Sequence, residues 1–310
     1  MPAPQAPLVI VNPVAGAGRA LQLEPQVRAV LEGSGISARL LETQEPGHAE
    51  RLAAAAADLG HDRVVAVGGD GTINEIVNGL MAGSAAGGHR VALGVVPAGS
   101  GNDLVRSLGL PLAPMAALSV ALGPDTRPLD LGFAQHDGAR RYFHAAGGAG
   151  FDAQVAFTMA GKRDRWQRGR AGYFLSTLNE LRRYRNRELR IRLTTADGAR
   201  ELEGRFLFVA FANGPFYGGG MQICPDASNS DGMLDVCLVG DISRLGALKE
   251  LPGIYRAAHV NHPLVEIVRV LEMRIEGTDG TRVHLDGEPL GVLPVDVGVE
   301  AAALQVAAVG

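Results

Sequence analysis

Residues 67–80 (VGGDGTINEIVNGL) place three glycines and one aspartate where an apolar run gives way to a helical pattern. A glycine-rich loop that leads into a helix N-terminus presents backbone N–H groups and the positive end of the helix dipole, which together suit a phosphate. Asp70 would repel a bare phosphate, and it suits the loop if a divalent cation lies between the two. A plain turn in which Asp70 accepts local amide hydrogens is the alternative. The chemistry indicated is metal-assisted phosphate binding.

A second loop has the same composition at residues 97–103 (PAGSGND), directly after the apolar run 91–96. Asn12 follows another apolar run at 8–11. The carboxyl ends of parallel strands meet at one edge of an open α/β sheet, where such sheets bind ligands. The three loops together therefore predict one site at that edge. Two common signatures are missing, since no GxGxxG and no GxxxxGK[ST] occurs around the glycine loops.

The elements that must position these loops alternate between short strands and helices over the first 130 residues. Strands are predicted at 8–11, 39–41, 63–67 and 91–96, and helices at about 19–32, at 48–59 and from Thr72. This alternation predicts an α/β nucleotide-binding domain, residues 1–130, with a parallel, doubly wound sheet. Thr72 and Glu75 match the S/T-x-x-E capping box, which predicts the start of the third helix.

The pattern changes after about residue 130. Strands are predicted at 190–195, 205–211, 234–239, 273–276 and 283–285, and Asp-Gly turns at 197–198, 231–232, 279–280 and 286–287. Helices are expected at about 153–160, 171–185 and 244–258. Short strands separated by Asp-Gly turns predict a β-rich, mostly antiparallel second domain, residues 131–310. We expect the extreme C-terminal segment to be able to pack back on the first domain.

These motifs, in their order along the chain, resemble one family. They are Asn12-Pro13, GGDGTINEIVNGL at 68–80, PAGSGND at 97–103, Asp130-Leu131-Gly132, GGAGFDAQV at 147–155, the segment 212–236 and HLDGEPL at 284–290. The chain resembles, over nearly its whole length, the bacterial lipid kinases related to diacylglycerol kinase and sphingosine kinase catalytic domains. GGDGT alone is shared with NAD kinases and phosphofructokinases, whereas the full ordered set is specific. The resemblance implies that the β-rich domain is the larger one, sandwich-like, and binds the lipid substrate.

The resemblance also implies an activity, transfer of the γ-phosphoryl group of ATP to a hydroxyl of a diacylglycerol-like lipid, with Mg²⁺. The implied ATP-binding residues are Asn12, Thr43, Gly68, Gly69, Asp70, Gly71, Thr72 and Ser100. The implied acidic set, linked by water to Mg²⁺, is Asp70, Asp103 and Asp130. Asp286 matches the general base, with Glu288 beside it, although Asp286-Gly287 read alone is a hairpin turn. A separate structural metal site of the family matches the side chain of Asp231 together with the backbone carbonyls of Ser228 and Met233.

Composition limits the possible partners and compartments. The formal net charge of −4 over 310 residues gives no reason to expect nucleic-acid binding. Two cysteines, Cys224 and Cys237, form no disulfide framework, and we expect a reduced, cytoplasmic protein with two buried thiols. The start of the sequence lacks the pattern of a signal peptide, and no apolar run is long enough to span a membrane. Monomer and homodimer both stay open.

A basic stretch stands out in this acidic protein. Its members are Lys162, Arg163, Arg165, Arg168, Arg170, Arg182, Arg183, Arg185 and Arg187, with Trp166 among them. It is either a solvated helix face or a transient contact with an anionic membrane surface, where each basic residue contributes about 1 kcal/mol. The histidines His144, His259, His262 and His284 show no metal-ligand spacing and are interpreted as ordinary.

Two other functions remain open from the sequence. A kinase of a soluble hydroxyl, similar to NAD kinase, would account for GGDGT and accounts poorly for PAGSGND, GFDA and the late DGE. A catalytically silent lipid- or nucleotide-binding protein would need no intact carboxylates, whereas Asp70, Asp103, Asp286 and Glu288 are all present.

Overall fold

The structure is a computed structural model that describes residues 6–88, 90–161, 170–277 and 280–310. Its contacts divide the chain into two units. The first unit comprises Met1–Asp130 and Ala302–Gly310, and the second comprises Leu131–Ala301. The first unit is therefore built from two separate stretches of the sequence.

Four parallel strands form the centre of the first unit. They are β1 (Leu8–Val11), β2 (Arg39–Glu42), β3 (Arg63–Gly68) and β4 (Ala92–Pro97), in the order β2-β1-β3-β4. The C-terminal part of a later strand lies parallel to β4 and pairs through Val306 and Leu93. The buried β-branched runs of the sequence thus form the parallel sheet that they predicted.

Helices surround this sheet. They are α1 (Arg19–Gly33), α2 (His48–Ala54), α3 (Asp70–Ala85), α4 (Asp103–Ser107) and α5 (Pro114–Leu122). Val27 of α1 and Leu118 of α5 belong to one core with Val9, Val65 and Val96 of the strands. Each of these side chains is at most 1% exposed, as expected for strands covered by helices. Helix α2 is shorter than the predicted 48–59.

Two antiparallel sheets form the second unit. The strands of one sheet are β7 (Ala146–Gly150), β10 (Phe208–Ala212), β11 (Leu234–Val239), β12 (Val265–Val270), β14 (Arg282–Leu285) and β15 (Glu288–Val292). They lie in the order β12-β11-β10-β7-β14-β15. The other contains the part of β5 (Thr126–His136) that follows Asp130, β6 (Ala139–Phe143), β8 (Arg187–Thr195), β9 (Gly198–Phe206), β13 (Glu272–Gly277) and the first part of β16 (Val295–Ala307).

The two sheets of the second unit enclose a common core. Phe211 and Val283 of the first sheet pack in one cluster with Ile191, Met273 and Val297 of the second. This arrangement confirms the predicted β-sandwich-like domain. Helices α6 (Phe151–Ala160), α7 (Arg170–Arg183) and α8 (Arg244–Glu250) complete the unit.

Several predicted boundaries differ from the structure. The predicted strand 205–211 comprises the end of β9 and the first four residues of β10, with a break at Leu207. The predicted helix 244–258 ends at Glu250, and a 3₁₀ segment, Leu251–Arg256, follows with Pro252 in its first turn. Strand β7 (AGGAG) gave no strand signal, because its residues are too small to show one. A Cβ at Gly147 would lie 2.2 Å from the Phe211 ring, so close packing explains that composition.

Candidate active site

The glycine loop after β3 leads into α3 two residues earlier than predicted. Helix α3 begins at Asp70, and Gly69, which has no side chain, occupies the N-cap position. The predicted capping box is wrong, because Thr72 is already the third helical residue. Glu75 does form a cap, on another helix, since its Oε2 atom accepts the N–H of Ala49 at 3.1 Å in the first turn of α2. Negative charge is stabilising at that end of a helix.

Asn12 joins the loop after β1 to the start of α3. Its Nδ2 atom donates to Oγ1 of Thr72 at 2.9 Å, and its Oδ1 atom accepts the N–H of Val14 at 3.2 Å. The backbone N–H of Asn12 also donates to the carbonyl of Val67 at 3.0 Å. These three bonds fix both the backbone and the amide orientation of Asn12 beside the glycine loop.

Asp70 joins the loop after β3 to the loop after β4. Its Oδ2 atom accepts the N–H of Asn102 at 2.8 Å, and its Oδ1 atom accepts the N–H of Asp103 at 2.7 Å. Hydrogen bonds to a carboxylate are shorter and stronger than neutral ones. Asn102 lies at φ +54°, a left-handed conformation that turns both amides towards one carboxylate. Asp70 therefore organises the two loops before any ligand is considered.

The glycines of the two loops permit this contact. A Cβ at Gly99 would lie 2.6 Å from the Cα atom of Gly69, and a Cβ at Gly68 would lie 2.6 Å from Oγ1 of Thr72. A Cβ at Gly16, in the loop after β1, would lie 1.8 Å from the carbonyl oxygen of Ala98. These positions need glycine because protein atoms lie against them, whereas Gly71 is exposed and accessible to a ligand.

The eight predicted ATP-binding residues all follow neighbouring parallel strands. Asn12 comes after β1, Thr43 after β2, residues 68–72 at the end of β3 and Ser100 after β4. The N–H of Thr43 donates to the carbonyl of Val11 at 2.9 Å, which holds it beside the end of β1. The structure therefore brings these residues to one sheet edge, where the first N–H groups of α3 have no acceptor within the helix. Such an edge suits a phosphate group.

The three predicted magnesium-linked aspartates have different contacts. Asp103 is 4% exposed and donates its N–H to Asp70. Asp130 is 3% exposed, and its Oδ1 atom accepts the N–H of Ala302 at 2.7 Å. The two backbone amides orient the Asp70 carboxylate and leave it negatively charged. A carboxylate in this state can accept hydrogen bonds from the water molecules around Mg²⁺. In the part of the chain that the structure describes, no group of three or more His, Cys, Asp or Glu side chains could hold a metal directly.

In the second unit, Asp286 occupies the turn between β14 and β15. The turn is the predicted hairpin, with φ +49° at Asp286 and +84° at Gly287. The Asp286 side chain is 1% exposed. Its Oδ1 atom accepts the N–H groups of Ala145 at 3.0 Å and Ala146 at 3.1 Å, and its Oδ2 atom accepts that of His144 at 3.0 Å. The three amides orient this buried carboxylate.

Two histidines that the sequence suggested were ordinary lie beside this turn. The Nε2 atom of His144 lies 3.5 Å from Oδ2 of Asp286, and the His144 side chain is wholly buried. The Nε2 atom of His284 lies 3.2 Å from Oδ2 of Asp152, whose place in the GFDA motif carried no assigned role. No metal-ligand spacing marked these histidines, because they contact carboxylates that are distant in the sequence. The position of His284 two residues before Asp286 was the one local signal.

Glu288 and the predicted structural metal site lie near the surface of the second unit. Glu288 is exposed and opens β15, where it pairs with Leu285. The Oδ1 atom of Asp231 accepts the N–H of Met233 at 3.1 Å, and its Oδ2 atom is paired with the Arg269 guanidinium. The Arg269 guanidinium therefore occupies one oxygen of this carboxylate, and the metal site that would use it together with the backbone carbonyls of Ser228 and Met233 stays a prediction. The hydroxyl of Ser228 lies 3.3 Å from that of Ser230.

The remaining predictions concern the thiols and the basic stretch. Burial raises the pKa of the Cys237 thiol to about 12 and raises that of Cys224 well above its usual value, as expected for inert thiols.

Part of the predicted basic stretch lies outside the described residues, namely Lys162, Arg163, Arg165, Trp166 and Arg168. Asp279 of a predicted turn lies outside them as well. Arg182, Arg183 and Arg185 are exposed. Within the described segments, no helix has the length and apolar character needed to cross a bilayer.

Two family models match the chain, one on each side of residue 140. The diacylglycerol kinase catalytic domain matches residues 6–134. The YegS C-terminal NAD kinase beta sandwich-like domain matches residues 145–308. The first match contains Asp70 and Asp103, and the second contains Asp152, His284 and Asp286.

Relatives of known name cover nearly the same length. The chain is 34% identical over 299 residues to a diacylglycerol kinase of Mycobacterium tuberculosis, covering 96% of this chain and 93% of the relative. It is 35% identical over 277 residues to a protein of Chromohalobacter salexigens named probable lipid kinase YegS-like, covering 88% and 85%.

A solved structure from Bacillus anthracis has the same fold, with a TM-score of 0.79 at 24% identity over 98% of this chain and 95% of that one. A second, of a diacylglycerol kinase from the same organism, gives a TM-score of 0.72 at 21% identity, covering 98% and 97%. These two likenesses bear on the fold. With two family models along its length and a relative 34% identical over 96% of it, the chain belongs to the bacterial lipid kinase family related to diacylglycerol kinase.

Proposed function

We propose that this protein transfers the γ-phosphoryl group of ATP to a hydroxyl group of a diacylglycerol-like lipid. The observation that carries the proposal is the joining of three loops at the carboxyl ends of the parallel strands. Asn12 contacts Thr72, and Asp70 accepts the N–H groups of Asn102 and Asp103. The family is one of kinases, and the relatives named above act, by name, on lipids.

The first unit binds ATP in this proposal. The N-terminus of α3 and the exposed Gly71 receive phosphate, and Ser100 contributes an exposed hydroxyl at the neighbouring loop. Asp70, Asp103 and Asp130 supply negative charge to the water shell of Mg²⁺. When bound, Mg²⁺ neutralises charge on the transferring phosphoryl group. Asp70 has a second task, because it holds the loop after β4 in place while the nucleotide binds.

The second unit supplies the carboxylate that accepts the proton of the lipid hydroxyl. Phosphoryl transfer needs such a group together with correct positioning. Asp286 is the proposed base, since three amides fix its orientation. Glu288, exposed on the next strand, is the second carboxylate of the same hairpin. Asp286 is the better candidate because its buried carboxylate has a fixed orientation. Glu288 is the alternative because its exposed carboxylate is more accessible to a substrate.

The deciding experiment is a substrate panel. The protein is incubated with labelled ATP, Mg²⁺ and either diacylglycerols, other lipid alcohols, NAD or small soluble alcohols. We expect a phosphorylated lipid and no phosphorylated NAD. Product from NAD alone would replace the proposal with a soluble-substrate kinase. Stabilisation by ATP without any product would indicate a nucleotide-binding protein instead.

Two substitutions separate the roles of the carboxylates. Asp286→Asn removes one acceptor oxygen from three amide contacts, so its folding must be measured by thermal unfolding alongside its rate. We expect kcat to fall by at least about 100-fold in Asp286→Asn, with ATP affinity retained, and by less than about 10-fold in Glu288→Gln. The reverse order would assign the base to Glu288. Asp58→Asn, at an exposed position of the first unit, is the control and is expected to be neutral.

We also propose that the protein is cytoplasmic and reaches its lipid by transient contact with an anionic membrane surface. The exposed Arg182, Arg183 and Arg185 support this, since basic residues near such a surface contribute about 1 kcal/mol each. Flotation with vesicles of increasing phosphatidylglycerol content tests it. Binding should rise with anionic lipid and fall with salt, and binding indifferent to both would remove the proposal.

A further inference from the structure

His284 makes a different hydrogen bond at each ring nitrogen. Its Nδ1 atom lies 3.2 Å from the backbone nitrogen of Gly287, and its Nε2 atom lies 3.2 Å from Oδ2 of Asp152. A backbone N–H can only donate, so Nδ1 must accept and carries no proton. The proton of the neutral ring is therefore on Nε2, from which it donates to the Asp152 carboxylate. The two neighbours together select one tautomer.

Asp152 is held as firmly as the ring that it contacts. It lies in the first turn of α6, is 7% exposed, and accepts the N–H of Ala153 through Oδ1 at 2.7 Å. A Cβ at Gly148 of β7 would lie 1.8 Å from Oδ2 of Asp152, so the absence of a side chain at Gly148 makes room for the carboxylate. The His284 ring is enclosed as well, since the residue is 2% exposed.

The bond from Gly287 connects this pair to the turn that carries Asp286. Asp286 and Gly287 both have positive φ, and the N–H of Asp286 donates to the carbonyl of Ala146 at 2.8 Å. The Asp286 carboxylate accepts amides from the same segment of chain. A buried histidine whose second nitrogen is fixed by a carboxylate acts as a rigid acceptor, as in sites where an outer partner sets ring orientation.

We infer that Asp152 and His284 are positioning residues that hold the Asp286-Gly287 turn through the Gly287 N–H. Neither residue needs to touch the substrate for this role. The inference rests on the proposed function in one respect, namely that the turn carries the base of the kinase reaction. Its structural content concerns the tautomer of His284 and the order of the turn, and both can be measured without any activity.

Two substitutions of His284 separate its two bonds. The side-chain oxygen of asparagine reaches the position of Nδ1 and can still accept from Gly287. The amide nitrogen of glutamine reaches the position of Nε2 and can still donate to Asp152. His284→Asn should therefore retain the order of the turn, whereas His284→Gln should lose it. A residue that merely fills the core would respond similarly to both changes.

Asp152→Asn tests the other partner. An amide nitrogen that faces Nε2 would need that atom to accept, which moves the ring proton to Nδ1 and sets it against the Gly287 N–H. The charge change at Asp152 would thus act on the turn through the histidine tautomer. In metal sites, loss of the outer partner of a ligating histidine typically costs 10- to 100-fold in affinity or activity, and we expect a loss of similar size here.

The first experiment uses nuclear magnetic resonance on the full-length protein at neutral pH. Long-range ¹⁵N–¹H spectra of the histidines, with His284→Gln for assignment, should show His284 protonated at Nε2 and unprotonated at Nδ1. Amide hydrogen exchange at residues 144–146 and 287 should be at least about 10-fold faster in His284→Gln and in Asp152→Asn, and near wild type in His284→Asn. A ring protonated at Nδ1, or equal exchange in His284→Asn and His284→Gln, would overturn the inference.

The second experiment uses the lipid that the substrate panel identifies. We expect kcat to fall by about 10- to 100-fold in His284→Gln and Asp152→Asn, with KM for ATP unchanged, and by less in His284→Asn. The control is His262, whose Nδ1 atom accepts the N–H of Leu264 at 3.1 Å away from the turn, and whose Asn and Gln variants should both keep full activity. Equal losses in the two His284 variants would contradict the inference. If no alcohol is phosphorylated, the proposed function fails, and the resonance experiment still decides the positioning role.

Discussion

The Oδ1 atom of Asp70 lies 2.7 Å from the backbone nitrogen of Asp103, across two loops that are 33 residues apart in the sequence. Its other oxygen accepts the N–H of Asn102. The aspartate that seemed out of place in a phosphate loop therefore has a partner within the protein. The two backbone amides fix the orientation of the Asp70 carboxylate, which is then in place to interact with a hydrated cation.

Asp70→Asn should weaken the contact between the loop after β3 and the loop after β4. Asparagine keeps one acceptor oxygen and turns an NH₂ group towards an amide N–H, which leaves that amide without an acceptor and costs about 1–3 kcal/mol. We expect a lower urea midpoint of unfolding and an ATP affinity reduced by at least about 10-fold, measured by calorimetry. Asp58→Asn is the matched control at an exposed site. A variant with unchanged stability would show that the two amide bonds contribute nothing.

Gly99→Ala should damage the same region by crowding. The new Cβ would lie 2.6 Å from the Cα atom of Gly69, where only backbone could yield. Overpacking of this kind costs about 1–3 kcal/mol, and we expect weaker ATP binding together with a lower Tm. Gly33→Ala is the control, because no atom lies within 4 Å of a Cβ there and the residue ends helix α1. A Gly99→Ala protein that binds ATP normally would contradict the close approach of the loops.

Glu75 should affect stability and leave catalysis intact. Glu75→Ala removes the acceptor of the Ala49 N–H at the start of α2, which should cost about 1–2 kcal/mol in the free energy of unfolding. Glu75→Gln retains an acceptor oxygen and should lose less than half of that. Chemical denaturation measures both, and kcat should stay within about twofold of wild type. A large loss of kcat in Glu75→Gln with normal stability would give Glu75 a role in the reaction.

The two thiols give a prediction for alkaline pH. Burial raises the pKa of Cys237 to about 12, above that of an unfolded thiol. The resulting stabilisation is complete below the unfolded pKa of about 8.5 and is lost as pH rises towards the folded value. We expect Ellman's reagent at pH 8 to react only as fast as the protein unfolds. Rapid reaction of two thiols in the native protein would show that they are accessible.

The sequence predicted the first unit well because its signals are local. A run of β-branched residues such as 63–67 can be recognised alone, and the glycines that follow it mark the end of the strand. The convergence of Asn12, the GGDGT loop and the SGND loop followed from the geometry of parallel strands. The start of α3 was predicted wrongly because Gly69, the N-cap residue, has no side chain that could mark the helix start. Thr72 has a hydroxyl typical of an N-cap residue but lies inside the helix.

The second unit was harder to predict because its contacts are distant in sequence. His284 and Asp152 are 132 residues apart, and Asp286 and His144 are 142 apart. Strand β7 consists of alanine and glycine, so neither its β propensity nor an alternating pattern could reveal it. The role of Glu75 was also hidden, since its partner lies on another helix 26 residues away.

The pairing of Val306 with Leu93 has a consequence for biosynthesis. A chain leaves the ribosome N-terminus first, so strands β1 to β4 emerge long before residue 306 has been translated. Until then the outer edge of β4 has no neighbour, and an open strand edge is a template for pairing with other chains. Most of the first unit is synthesised before the second unit, but its last strand segment is synthesised after it. The parallel sheet therefore stays incomplete until the whole second unit has been translated.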